Sequence, residues 1–186
     1  MDDTALKLSA ELELTQHDFW NIAHQTAEFI SMLIKISKVK NVLEIGTSNG
    51  YSTLWIADAL KDAGVGGHLT TIEFYEKRQS IARENMEKCK LSDYVTFKQG
   101  RALEILSDLD FVPDMVFIDA NKSEYIQYFD LLKDKLPKGA IILADNVVSH
   151  ASKVADFLDE IKNDVRYQSQ VLDLPAGLLM ALKLTD

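Results

Sequence analysis

Apolar and polar positions along the chain follow two patterns that alternate. Five short apolar runs typical of buried strands are each followed by a stretch in which apolar residues recur at helical spacing. The apolar runs span residues 41–46, 68–73, 94–98, 114–119 and 138–144, and the helical stretches span about 52–64, 76–90, 102–109, 123–135 and 152–163. This alternation predicts an α/β fold with a doubly wound, mostly parallel sheet that is covered on both faces.

The segment before the first strand has a helical pattern of its own. Apolar residues recur at helical spacing up to about Ile36, after a capping-box pattern at residues 15–18. We therefore expect one helix from there to Ile36, packed on the domain. The residues before Thr15 are weakly patterned and are expected to form a loose segment or a short lid helix. Residues 1–37 would then be an N-terminal helical segment, and 41–186 the core of a single domain.

The end of the chain departs from the alternation of strand and helix. Residues 167–174 and 178–184 are two strand-like runs that are separated only by a turn around Pro175 and Gly177. Two parallel strands need a connection of a dozen or more residues, so these two strands must be antiparallel. The sequence therefore predicts a seven-stranded sheet with a reversed last strand.

Composition excludes several classes of function. The 186 residues are 47% hydrophobic and 26% charged, as in one ordinary globular domain. A formal net charge of -9 at pH 7 argues against a nucleic-acid partner, although it leaves open a local basic patch. The only cysteine, Cys89, cannot form an internal disulfide, and the first residues lack the pattern of a signal peptide. No apolar run reaches the ~20 residues of a membrane span. We expect a cytoplasmic protein with no membrane partner.

The first predicted strand runs into a loop with two glycines. Gly46 and Gly50 allow a sharp turn and a close approach to a ligand, and a helix that begins near Ser52 would direct its free N–H groups to the same crevice. The spacing differs from the G-x-G-x-x-G of dinucleotide folds, and the chain has no G-x-x-x-x-G-K-[ST] phosphate loop. What remains resembles the first motif of methyltransferases that use S-adenosylmethionine (SAM). The alternative is a glycine-rich turn without a ligand.

Polar side chains follow three other predicted strands. Glu73 ends the second strand, where an acidic residue in such folds accepts both ribose hydroxyls. Asp119 follows the fourth strand, and Asp145 and Asn146 follow the fifth, so two carboxylates and an amide oxygen are expected to meet beside the cofactor. Oxygen ligands select a hard cation, Mg²⁺ first and then Mn²⁺ or Ca²⁺. A turn-forming role is the alternative for each of these residues taken alone.

Five more residues are candidates for the same site. Ser52 can donate a hydrogen bond to the methionine carboxylate of SAM, and Glu44 can contact the methionine amine. Arg101 and Ala102 end the third strand and would flank the adenine ring. Lys122 begins the helix after the fourth strand and would act as general base, because a nearby cation disfavours its ammonium form. The alternative for Lys122 is an ordinary surface lysine.

These segments together resemble the cation-dependent O-methyltransferases, the family that includes catechol and caffeoyl-CoA O-methyltransferases and many bacterial relatives. The similarity runs from about Trp20 to the end of the chain, and it is carried by residues 27–33, 43–52, 117–125 and 144–148. The resemblance implies a class I methyltransferase fold of Rossmann-like type, SAM as cofactor and a divalent cation.

The resemblance also implies individual roles. Asp119, Asp145 and Asn146 would bind the metal, and Lys122 together with Asp119 would be catalytic. The residues expected at the SAM site are Ile22, Glu44, Gly46, Ser52, Glu73, Arg101, Ala102 and Asp119. Arg101 stands where the family often has aspartate, so the adenine contact must come from the backbone or from another side chain.

The expected reaction is methyl transfer from SAM to a hydroxyl beside a second oxygen on a small catechol-like acceptor. Methylation of a hydroxylated tRNA base is one alternative, against which the net charge argues. A SAM-binding domain without catalysis is the other. The chain is short before Trp20 and after Asn146, where relatives carry lid and specificity segments, so the acceptor itself is not predicted. The sequence leaves open whether the protein forms a homodimer.

Overall fold

A computed structural model describes residues 1–185, and its centre is a seven-stranded sheet. The strands are β1 Asn41–Ile45, β2 His68–Glu73, β3 Val95–Gln99, β4 Met115–Ile118, β5 Ile141–Ala144, β6 Tyr167–Leu172 and β7 Leu178–Lys183. Their spatial order is β3-β2-β1-β4-β5-β7-β6. Strand β7 is antiparallel to both of its neighbours, whereas β1 to β5 pair in parallel. The predicted doubly wound sheet with a reversed last strand is therefore confirmed.

Helices flank the sheet on both faces. The α-helices are α1 Asp3–Glu13, α2 Gln16–Phe19, α3 His24–Ser37, α4 Tyr51–Ala63, α5 Glu76–Lys88, α6 Ala102–Ser107, α7 Tyr125–Leu132 and α8 Ala155–Asn163. Short 3-10 helices cover Ser92–Tyr94, Lys122–Glu124 and Ala151–Lys153. The five predicted helices that follow strands are all present, with ends that shift by a few residues. None of the helices within residues 1–185 is long and apolar enough to cross a membrane.

The strands are apolar because they are buried on both faces. Along β1, successive side chains point to opposite faces of the sheet. Val42 packs into a cluster with residues of α3 and α4, whereas Leu43 and Ile45 pack into a second cluster with Phe129 of α7 and Phe157 of α8. All four residues of β4 and of β5 are buried. The polar groups at the ends of these strands therefore lie on a rigid support.

The predicted continuous helix from residue 15 to Ile36 is wrong. The chain leaves the helical conformation at Trp20, whose φ of 57° is left-handed, and α3 begins only at His24. The side chain of Asn21 donates to the carbonyl of Leu12 at 2.9 Å, an interaction that competes with helix formation. The break turns residues 19–22 toward the carboxyl ends of the strands, where they line a pocket.

The first residues form an ordered helix rather than a loose segment. Asp2 caps α1, and its side chain accepts hydrogen bonds from the backbone N–H groups of Thr4 and Ala5 at 3.0 and 2.9 Å. Helix α1 buries Ala5, Leu8 and Leu12 against the body of the protein, where α1 contacts α4. Of the two expectations for this segment, the short helix is therefore correct, and it supports the segment that follows.

Candidate active site

A cavity of about 480 Å³ lies at the carboxyl ends of β1 to β4. This is the edge of an open α/β sheet at which ligands bind. The predicted site residues that line it are Ile22, Gly46, Ser52, Glu73, Arg101, Ala102, Asp119 and Lys122. Glu44, Asp145 and Asn146 are not among the lining residues. The fold thus brings most of the predicted site together around one cavity.

Gly46 allows two loops of the cavity to meet. Its φ is +108°, and a Cβ atom at this position would lie 2.2 Å from the backbone oxygen of Asp119. A side chain at residue 46 would therefore push apart the loops that follow β1 and β4. Gly50 has a φ of +87° and passes close to Ala82 of α5. The glycine loop is thereby fixed between the fourth strand and the fifth helix.

Glu73 lies at the end of β2 and is held by the backbone. One carboxylate oxygen accepts from the N–H of Ser48 and the other from the N–H of Tyr75, each at 2.8 Å. These two bonds fix the orientation of the carboxylate, and each oxygen keeps a second acceptor position. Glu73 is buried and lines the cavity. The predicted ribose contact is therefore sterically available, and it stays a prediction.

Glu44 faces away from the cavity. Ser52 donates to one of its oxygens at 2.5 Å, and Thr53 and Thr71 donate to the other at 2.6 Å. Burial raises the pKa of Glu44 to about 7. Because Ser52 already donates to Glu44, a donation from Ser52 to the carboxylate of SAM would compete with this bond. The direct contacts of Glu44 and Ser52 with SAM remain predictions.

Asp119 and Lys122 form an ion pair in the wall of the cavity. The Nζ atom of Lys122 lies 2.8 Å from an oxygen of Asp119, and both side chains are largely buried. Lys122 begins a 3-10 helix, and Asn121 caps this helix by accepting from the N–H of Ser123 at 3.3 Å. The ammonium group also lies 5.8 Å from the centre of the Tyr125 ring. The predicted base is thus held at one defined position beside Asp119.

Asp145 and Asn146 follow β5 beside Asp119. The sheet register pairs Ile118 with Ala144, so that the next residues of the two strands, Asp119 and Asp145, are neighbours. Asp145 is only 2% exposed, and its Oδ1 atom has no hydrogen-bond partner. Burial, and next the negative charge of Asp119, raise the pKa of Asp145 to about 7. Asn146, the next residue, adopts a left-handed φ of 64°.

These residues fit a bound divalent cation. A buried carboxylate oxygen without a partner requires an explanation, and a cation would supply the missing interaction. Within residues 1–185 no group of three His, Cys, Asp or Glu residues is arranged to hold a metal. The donor set therefore depends on the amide of Asn146 in addition to the two carboxylates. Such an oxygen-only set suits Mg²⁺, Mn²⁺ or Ca²⁺.

The sequence model of the O-methyltransferase family matches residues 5–184, nearly the whole chain. The chain belongs to this family. The seven-stranded sheet and the cavity at its carboxyl edge are thus those of an O-methyltransferase, and the resemblance stated from the sequence is confirmed.

Similar proteins narrow the description of this O-methyltransferase. It is 33% identical to catechol O-methyltransferase of Niastella koreensis over 153 residues, or 79% of this chain and 67% of that protein. It is 34% identical to caffeoyl-CoA O-methyltransferase 2 of Petunia hybrida over 176 residues, or 89% of this chain and 72% of that protein. An O-methyltransferase from Bacillus cereus, solved in complex with SAH, has a TM-score of 0.84 and 29% identity, and the match covers 98% of this chain and 91% of that one. The protein is a SAM-dependent O-methyltransferase of the catechol and caffeoyl-CoA type.

The O-methyltransferase also has pocket residues that the sequence did not predict. The guanidinium group of Arg78 lies 5.0 Å from the Trp20 ring and 5.6 Å from the Tyr75 ring. The hydroxyl of Ser48 donates to the carbonyl of Phe19 at 2.8 Å. These contacts hold residues 19–22 over the cavity. Trp20 and Arg78 are far apart in sequence and share no periodic pattern, so that only the folded chain shows their contact.

Glu124 and Tyr128 were not predicted either. Both line the cavity of the O-methyltransferase at the start of α7, and the Tyr128 hydroxyl donates to an oxygen of Glu124 at 2.6 Å. Burial and the bond to Glu124 raise the pKa of Tyr128, so the hydroxyl stays a donor at neutral pH. The separation of four residues on a helix could have indicated this pair. It could not have indicated that the pair faces the cavity.

Proposed function

We propose that this O-methyltransferase requires a divalent cation, with Mg²⁺ preferred, and methylates a hydroxyl that lies beside a second oxygen on a small catechol-like acceptor. The observation that carries the proposal is the unpartnered, buried Oδ1 atom of Asp145 next to the Asp119–Lys122 ion pair. An arrangement of two adjacent carboxylates and one lysine at the cofactor cavity is costly unless it has a function.

Asp119, Asp145 and Asn146 would hold the cation. When bound, the cation would supply positive charge that orients the two acceptor oxygens and favours loss of the hydroxyl proton. Asp145 follows β5, the strand next to β4, and does not line the cavity. Its carboxylate would therefore bind the cation from the side away from the cavity, next to Asp119. Because β4 and β5 are buried strands, these donors are held in place without the ligand.

Lys122 would accept the proton from the acceptor hydroxyl. Its Nζ atom lies at the cavity wall and is already oriented by the hydrogen bond to Asp119. A positioned side chain that receives a proton in the transition state accelerates a reaction by about 10²–10⁴-fold. The glycine loop and Glu73 would meanwhile hold SAM, whose sulfonium provides the methyl group, in a fixed orientation toward the acceptor.

The predicted alternatives have weaker support. Membership in the O-methyltransferase family argues against a SAM-binding domain without catalysis. Methylation of tRNA would need a basic surface, and the formal net charge of -9 argues against one. The relatives named for catechol and caffeoyl-CoA point to small acceptors, which are the substrates in those proteins.

One experiment tests both the cation and the acceptor. The protein is dialysed against EDTA and assayed with labelled SAM on small catechols, on hydroxycinnamoyl-CoA esters and on bulk tRNA, with and without added Mg²⁺. We expect methylation of an aromatic diol only when Mg²⁺ is present, and loss of this activity in Asp145→Asn. Asp130→Asn is the matched control, because Asp130 pairs with Lys133 on the surface. Undiminished turnover in EDTA would refute the cation requirement, and label in tRNA alone would refute the acceptor class.

A further inference from the structure

The order of the strands indicates where the base of SAM lies. The glycine loop follows β1, and Glu73, the predicted ribose contact, ends β2. Strand β3 lies beyond β2 on the side away from β1. A ligand with its amino-acid part at the glycine loop and its ribose at Glu73 therefore extends its base toward the end of β3. There, residues 100–103 line the cavity.

The cavity-lining residues 100–103 offer no side-chain acceptor for the base. The 6-amino group of adenine presents N–H donors, and Arg101 also carries only donors, whereas Ala102 has no polar side chain. The Nε atom of Arg101 lies 3.7 Å from Glu104, and these two side chains are 59% and 75% exposed. Glu104 does not line the cavity. A side-chain acceptor for the 6-amino group has to come from another element.

The start of helix α7 supplies a carboxylate at this end of the cavity. Helix α7 packs against α6, the helix that begins at Ala102, and Glu124, which directly precedes α7, lies in the cavity wall together with Tyr128 of α7. Tyr128 is almost fully buried, and its hydroxyl bond to one oxygen of Glu124 fixes the carboxylate. The other oxygen of Glu124 is not used by this bond. Glu124 has no part in the proposed chemistry at Asp119 and Lys122.

We infer that Glu124 accepts a hydrogen bond from the 6-amino group of the adenine ring of SAM, with Tyr128 as its positioning residue. Glu124 thereby provides the side-chain contact that Arg101 does not offer. A base with an oxygen at position 6 would place a carbonyl oxygen against the carboxylate and would lack the N–H donors that adenine has at this position. Sites that hydrogen-bond a ligand group strongly reject analogues that lack it. Glu124 is thus a determinant of base specificity.

Two ligands that differ only at position 6 of the base test this role. Calorimetry gives the dissociation constants of S-adenosylhomocysteine and of S-inosylhomocysteine, which carries an oxo group in place of the amine. We expect the wild type to prefer the adenosyl ligand by roughly 10–100-fold, the scale of a hydrogen bond to a charged group. In Glu124→Ala the adenosyl ligand should bind more weakly, the inosyl ligand about as before, and the ratio should approach one.

Three further variants separate this contact from a general effect on the cavity. Glu124→Gln keeps one acceptor oxygen and should give a ratio between those of the wild type and Glu124→Ala. Tyr128→Phe should lower the ratio less than Glu124→Ala does, because it removes only the bond that positions the carboxylate. Glu104→Ala changes an exposed carboxylate near the end of β3 that does not line the cavity, so it should leave the ratio unchanged. A wild-type ratio in Glu124→Ala would overturn the inference, and so would equal binding of both ligands by the wild type. Neither outcome would contradict the binding of SAM to this protein.

Discussion

The hydroxyl of Ser52 donates to the carboxylate of Glu44 across 2.5 Å, although of these two residues only Ser52 lines the cavity. Thr53 and Thr71 direct their hydroxyl protons to the same carboxylate. Three hydroxyl groups thus donate hydrogen bonds to one fully buried carboxylate. Glu44 consequently influences the cavity through Ser52 rather than by direct contact, and its protonated form contributes to the stability of the fold.

The stability contribution of Glu44 depends on pH. Burial raises the pKa of Glu44 to about 7 from its ordinary value of 4.5, so the folded protein holds this proton more tightly than the unfolded chain. The stabilising contribution is therefore complete below about pH 4.5 and is lost as the pH rises through about 7. The loss should be on the order of 3 kcal/mol. Glu44→Gln does not titrate and should not show it.

Urea unfolding of the wild type and of Glu44→Gln at several pH values measures this effect. The difference in unfolding free energy, wild type minus variant, should fall between pH 5 and pH 8. Groups such as Asp145 and His24 also have raised pKa values, but both proteins contain them, so their contributions cancel in the difference. A difference that does not change with pH would show that Glu44 titrates normally.

The role of Glu73 is tested by its effect on the affinity for SAM. Glu73→Ala should weaken binding by about 1.5–3 kcal/mol, because it removes hydrogen bonds to a charged group. Calorimetry measures this loss. Glu73→Gln keeps an acceptor oxygen and should bind with intermediate affinity, which controls for the two backbone bonds that Glu73 also makes. Unchanged affinity for SAM in the alanine variant would refute the predicted contact between Glu73 and the ribose.

Lys122 should be required for turnover and not for SAM binding. Lys122→Met should lower kcat by ~10²–10⁴-fold while the dissociation constant of SAM changes little. Lys122→Arg should not restore activity, because a guanidinium group stays protonated in proteins. Steady-state kinetics and calorimetry on the same preparations separate the two quantities. Lys153→Met, at an exposed position, is the matched control. Full activity in Lys122→Arg at pH 7 would show that Lys122 is not the general base.

Metal binding should stabilise the folded protein even without an acceptor. A ligand that binds only the folded state raises the unfolding temperature in proportion to the logarithm of its concentration over the dissociation constant. We expect Mg²⁺ or Mn²⁺ to raise the unfolding temperature of the wild type above its value in EDTA. The unfolding temperature of Asp145→Asn should change little on addition of the cation, because the substitution replaces the carboxylate with its unpartnered oxygen by a neutral amide. An equal shift in both proteins would place the cation at another site.

The sequence was sufficient to predict most of the sheet and much of the cavity wall. Continuous apolar runs such as β4 could only be buried strands, and the carboxyl ends of parallel strands must meet at one edge. Glu73 and Asp119 could therefore be placed at the same edge of the sheet without a structure. The cytoplasmic location and the homodimer were inferred from composition or left open, and both remain predictions.

The parts that the sequence did not predict depend on contacts between distant segments. The helical pattern runs through Trp20 without a break, whereas the chain turns there and contacts Arg78 and Ser48 of other elements. Glu44 is different, because alternation along β1 places it on the same face as Val42, toward α4, and the register pairs it with Thr71. Its inward orientation could therefore have been predicted from the sequence.

The position of Trp20 gives the protein an intrinsic optical signal. The chain has two tryptophans, and Trp20 is 74% exposed at the mouth of the cavity with the Arg78 guanidinium over its ring. Trp55 lies apart from the cavity, where it contacts the His24 ring and donates to Ser9. A ligand that enters the cavity must change the surroundings of one indole and leave the other unchanged. Fluorescence emission from Trp20 should therefore report the binding of a ligand in the cavity, without a label and without a methyl acceptor.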